Sequence, residues 1–153
     1  MDKLDKYAEN STLMDIFIKY NTEKFKFNLF EEIKIKESQI SLELMDQPTK
    51  YGFLTLLHTN LIKLHGDKEL SVNRAYAKAY VKYKKENNKE TGKPNPDELC
   101  KQMAEIDQDY CKYQDELIQA KFDMNRINAC VRSFEQRKDI LQTLSANKRK
   151  ERE

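Results

Sequence analysis

Residues 90–99 read ETGKPNPDEL, from Glu90 to Leu99, and their reading decides the architecture. Gly92 accepts the left-handed conformation that closes a helix, and Pro94 stops the helix from resuming. Asn95 is a good N-cap, Pro96 suits a first helical position, and Asp97 and Glu98 complement the positive end of a helix dipole. The stretch therefore predicts helix, tight loop, helix. A short loop between two long helices implies an antiparallel hairpin.

Downstream of the loop, alternate steps of three and four land on Tyr110, Tyr113, Leu117, Ala120, Met124, Ile127, Val131, Phe134, Lys138 and Leu141. Only Lys138 interrupts this seam. A 3.5-residue repeat of this length keeps one stripe facing a partner helix, as in a coiled coil. Tyr113, Leu117, Met124, Ile127, Val131, Phe134 and Leu141 are thus expected to form the seam of the hairpin or of its assembly. Upstream, the first arm is expected from about Pro48 to about Asn88. Leu54, Leu57, Leu61 and Leu64 make one stripe and Val72, Tyr76, Ala79 and Tyr83 another, with a register shift expected around Gly66.

The first 47 residues are expected to hold short helices joined by loops. Ser11 would cap an amphipathic helix with Leu13, Ile16 and Tyr20 on one side. The segment FKFNLFEEIKIKESQISLEL mixes period-two alternation with helical spacing and fits either reading. The whole reads as all-α: an N-terminal segment, 1–47, then a long coiled-coil-like hairpin, 48–153, with its loop near 91–96. Three glycines, three prolines and no tryptophan in 153 residues agree with long uninterrupted helices. Two helices with arms roughly 60 Å long would leave Phe53, Leu70, Tyr80, Phe122 and Ile140 outside the seam, so a homo-oligomer is expected.

Cys100, Cys111 and Cys130 are odd in number and fit no metal-ligand spacing, so they read as reduced thiols of a cytoplasmic protein. No signal-type run and no stretch of 18 apolar residues occurs, so no membrane contact is expected. Catalysis is not expected either. His58 and His65 are seven apart without a carboxylate at ligand spacing, and no glycine-rich phosphate loop or nucleophile elbow exists. Asp107 and Asp109, like Asp115 and Glu116, read as solvated helix faces. No metal and no cofactor is expected.

Charge is distributed unevenly: the net is −2 over 1–60, +5 over 61–94, −5 over 95–123 and +4 over 124–153. Within the basic segment, Arg74, Lys78, Lys82, Lys85 and Lys89 fall on one helix face, with Tyr76, Tyr80 and Tyr83 beside them. Cations neutralise phosphates and exposed aromatics stack on unpaired bases, so Arg74, Lys78, Tyr80, Lys82, Tyr83, Lys85 and Lys89 are candidate contacts for single-stranded DNA. The other reading packs the tyrosines into the hairpin and leaves the lysines merely solvated. Lys148, Arg149, Lys150 and Arg152 form a charged tail, read as a frayed helix end or a secondary contact. The acidic band at 97–123 could dock a basic partner.

With these residues in view, the chain resembles the phage recombination mediators of the UvsY type over about residues 30–145. IKESQISLELMDQPTK (Ile35–Lys50) is similar to the family's entry into its first long helix, with Leu42 and Glu43 near the family's leucine and glutamate. AKAYVKY (Ala77–Tyr83) is similar to its basic element, with Lys78 at the family's lysine and Tyr80 where the family has arginine. The segment DYCKYQDELIQAKFDMNRINACVRSFEQRKDIL (Asp109–Leu141) looks like the distal part. The resemblance implies a small helical protein, assembled into rings, that binds single-stranded DNA. It also implies partners, a phage recombinase and a single-strand-binding protein, and a role in DNA recombination and repair by loading the former where the latter sits. The alternative from the residues themselves is a structural coiled-coil adaptor that binds only protein.

Overall fold

The computed structural model describes residues 12–151. Ser11 and Arg152, named above as a cap and as part of the tail, lie outside them. After a 3₁₀ turn at Thr12–Met14, strands β1 (Asp15–Tyr20) and β2 (Glu23–Asn28) pair antiparallel, followed by helices α1 (Leu29–Ile33), α2 (Ile40–Lys85), α3 (Asp97–Glu105) and α4 (Gln108–Lys150). The chain is mostly helical. Among the described residues, no helix is long and apolar enough to cross a membrane.

The expected all-α N-terminus is corrected: 15–28 is a β-hairpin. Ile16 and Ile18, two apart, are both buried while Phe17 and Lys19 face out, so the operative period is two. Tyr20 pairs with Glu23, which leaves a two-residue turn in which Asn21 takes a φ of 55°. Asparagine tolerates that region better than other non-glycine residues. Asn28 then does two things. Its Nδ2 donates to Asp15 Oδ1 at 2.8 Å, tying the two ends of the hairpin, and its Oδ1 accepts the Glu31 N–H at 3.2 Å, capping α1.

Residues 61–124 form one compact unit; the described residues before and after them form the other. In the latter, Ile16, Ile18, Leu29, Ile40, Leu54, Leu57, Ile127, Cys130, Val131, Phe134 and Leu141 are buried. Arg137 is buried with them, only 3% exposed. Its guanidinium donates to Gln47 Oε1 at 2.5 Å and to the Ile33 carbonyl at 3.2 Å, and ion-pairs with Glu43; Gln47 in turn donates to the Phe134 carbonyl at 2.6 Å. These contacts pair α2 with α4 in antiparallel sense within this unit. They also explain why α2 starts at Ile40 and passes through Pro48, correcting the expected start. Proline inside a helix removes a hydrogen bond and costs about 3 kcal/mol, and the anchors at Glu43 and Gln47 offset that cost on the side where the helix would otherwise begin.

In the 61–124 unit the core is small: Leu61, Val72, Ala75, Ala79, Cys100, Ala104 and Ala120 are buried, and Tyr113, Leu117 and Met124 are half-buried. Lys68 pairs with Glu116 at 2.5 Å and Tyr76 meets Tyr110 edge-on at 5.5 Å, again antiparallel. Helix α2 is continuous through Gly66, so the register shift expected there, from Leu54, Leu57 and Leu61 to Val72 and Ala79, takes place without a break in the helix. The second arm is not one helix but two. Asp107 Oδ1 accepts the N–H groups of Asp109 at 3.0 Å and Tyr110 at 3.4 Å, so Asp107 starts α4 as a cap and is not the solvated side chain expected.

Candidate nucleic-acid interface

Helix α2 ends at Lys85, so four of the five row cations, Arg74, Lys78, Lys82 and Lys85, share its face over about 16 Å. Lys89 belongs instead to the loop, whose turn places Gly92 at φ 64°. There Asn88 Oδ1 accepts the N–H groups of Glu90 and Thr91, and the Gly92 N–H donates to the Asn88 carbonyl at 2.8 Å. All five cations are exposed. Among the described residues, Arg74, Lys78, Lys85 and Lys89 have no carboxylate at ion-pair distance, whereas Lys50, Lys68 and Lys84 on other faces each have one. Lys82 lies 4.9 Å from the centre of the Tyr83 ring.

The tyrosines lie between the two arrangements that the sequence leaves open. Tyr80 and Tyr83 are half-buried. The Tyr80 hydroxyl donates to Asp97 Oδ1 at 3.1 Å, and the Tyr83 hydroxyl to Asp107 Oδ2 at 3.1 Å. Lys84 ion-pairs with Asp97 and donates to the Asn95 carbonyl at 3.3 Å. Asn95 does not cap the following helix as expected. It is buried, and its amide donates to the Tyr83 carbonyl at 2.9 Å, which ties the loop back to the end of α2. Pro96 takes the cap position. The reason is geometric: the acids at the start of α3 and α4 lie where the tyrosine hydroxyls point, so both side chains are tied to the helices that follow the loop.

These contacts shift the ionisable groups consistently. The Lys84 hydrogen bond, then that of Tyr80, holds the Asp97 carboxyl below its usual value, and the bond to Asp97 raises both Lys84 and Tyr80. Burial pushes Asp107 up, but the Tyr110 N–H, the Tyr83 hydroxyl and the Asp109 N–H outweigh it and leave the carboxyl lowered. Both acids are therefore firmly ionised at neutral pH.

A groove of about 610 Å³ runs beside the row, with Arg74, Lys78 and Lys82 on one wall and Asp107, Asp109 and Tyr113 on the other. A polyanion meets attraction on the first wall and repulsion on the second. It would therefore ride the outer row rather than enter the groove. The acids were legible as an acidic band in the sequence; their position opposite the row was not, because it depends on the break before α4.

Compared with protein-family models, curated proteins and solved structures, the chain matches none.

Proposed function

We propose that this chain is a non-catalytic protein that binds single-stranded DNA through its phosphates, along Arg74, Lys78, Lys82, Lys85 and Lys89. The observation that carries the proposal is the row itself: exposed cations, four of them without a carboxylate partner among the described residues. Such a row binds by charge and counterion release, indifferent to sequence. The resemblance to recombination mediators supplies the preference for single strands and the biological setting, the loading of a recombinase onto DNA coated by a single-strand-binding protein. It also supplies self-assembly. Tyr80 and Tyr83 act in this reading as braces that hold the end of α2 and the loop carrying Lys89.

A second reading is a structural adaptor that binds only protein. The hydrogen bonds of Tyr80 to Asp97 and Tyr83 to Asp107 favour it, since they give both tyrosines a structural role within the chain. Titration of a labelled oligonucleotide, followed by anisotropy at about 50 mM salt, separates the two. Salt-sensitive binding, tighter for single strands than for duplex, supports the mediator; no change in anisotropy with either supports the adaptor.

A further inference from the structure

Helix α2 carries a second feature, on the side turned away from the core of the 61–124 unit. Ile62, Gly66, Leu70, Asn73, Ala77 and Val81 follow one another by steps of four, four, three, four and four, and none is charged. The order repeats after eleven residues, which keeps the strip aligned on the helix over about 28 Å. Ile62, Leu70 and Val81 are 50%, 53% and 48% exposed. A Cβ added to Gly66 would meet nothing within 4 Å, so no neighbour in this chain accounts for a glycine that weakens the helix interior by about 1 kcal/mol. In a chain with 35% charged residues, six successive uncharged positions along an exposed helix face call for a partner.

We propose that the strip is the seam of a two-fold antiparallel homodimer. Read backwards, its order of side-chain sizes matches itself. With the two-fold axis between Ser71 and Val72, Ile62 stands opposite Val81 of the second copy, Gly66 opposite Ala77, and Leu70 opposite Asn73. Small residues facing small ones let the helices approach closely, and the larger pairs close the two ends. This is the self-complementarity that an isologous interface requires. The two Asn73 amides come about 4.5 Å apart along the axis, near the two-fold, where a polar seam residue fixes register.

Charge complementarity selects the antiparallel sense. Asp67 and Arg74 lie on the same flank of the strip, exposed and without ion pairs among the described residues. In an antiparallel pair like flanks meet, and Arg74 of the second copy lies about 3 Å along the axis from Asp67. Symmetry makes this contact twice. A parallel pair brings unlike flanks together, which would leave Asp67 and Arg74 of the two copies on opposite sides of the seam and without this contact. The antiparallel arrangement also lays Lys78, Lys82 and Lys85 of both copies on one side, end to end over about 40 Å. In the dimer Arg74 is taken by Asp67 and the DNA row is left to the lysines; the seam itself rests on the helix face and its flanking charges, not on the DNA reading.

The test uses the full chain without nucleic acid. Light scattering is expected to give twice the mass of the chain, and Leu70→Glu to halve it while the far-ultraviolet circular dichroism stays unchanged. In a Cys111→Ser background, Ile62→Cys combined with Val81→Cys is expected to oxidise to a covalent dimer, and neither substitution alone to do so. The cysteine pair decides the matter if Leu70→Glu does not fold. A monomeric wild type, an unchanged mass for a folded Leu70→Glu, or cross-linking by the single cysteines would overturn the proposal. Because oligomeric state is read without DNA, these outcomes stand apart from any failure to bind oligonucleotide.

Discussion

Tyr80 and Asp97 are joined through the hydroxyl of one and Oδ1 of the other at 3.1 Å, and Lys84 pairs with the same carboxylate. One acid at the start of α3 thus holds two side chains from the last turns of α2. The loop between the helices is fixed by chemistry at its two ends.

That contact sets an acid limit on the loop. Asp97 has its carboxyl held below the ordinary 3.8, so the contribution of the contact is complete above that value and disappears as pH falls through the lower folded value. The Tyr80 ring resonances are expected to shift in that acid range in the wild type. In Asp97→Asn they should not shift there; a shift that persists in the variant would assign the transition to another group.

Along the cationic row, Lys78→Ala with Lys82→Ala is expected to weaken oligonucleotide binding and to flatten the slope of log K against log salt by about two. The far-ultraviolet spectrum should be unchanged, because both side chains are exposed. An affinity equal to wild type would take the row out of the binding surface.

Among the described residues, Arg137 is the charged side chain that is buried, at 3% exposure. Arg137→Ala leaves Glu43 and Gln47 without their buried partner, and removing one member of a buried pair costs about 3–5 kcal/mol. Urea denaturation should show the midpoint fall by that equivalent. Replacing Arg137 and Glu43 together by leucine is expected to recover part of the loss, since it removes the unpaired charge as well.

The three thiols should separate by reactivity. Cys111 is exposed, whereas Cys100 and Cys130 are buried, and burial pushes the Cys130 thiol up to about 11. A disulfide reagent at mildly alkaline pH is expected to titrate one thiol quickly in the native protein and all three after denaturation. Two fast thiols in the native state would contradict the buried placement.

The two long helices were legible because Gly92, Pro94 and the seam from Tyr113 to Leu141 are strong local signals. The β-hairpin was not. Ile16 and Tyr20 sit at helical spacing as well as in a strand, and the turn at Asn21 and Thr22 lacks the glycine that marks a two-residue hairpin loop most clearly. Pro48 misled for a different reason: a proline usually opens a helix, and the contacts that carry α2 through it come from residues 87 and more positions away. The row of cations could be placed on a face by counting. The partners of Tyr80 and Tyr83 could not, because Asp97 and Asp107 reach them across the loop, and Asp107 does so from a helix start set by a break that the sequence does not announce.

The Arg137 cluster has an evolutionary corollary. An arginine whose donors are taken by Glu43, Gln47 and a main-chain carbonyl tolerates neither a shorter cation nor a neutral neighbour on its own. Divergent descendants of this chain should therefore change positions 43, 47 and 137 in concert, while the exposed lysines of the row drift one at a time. That contrast in substitution history would distinguish residues kept for the fold from residues kept for a ligand.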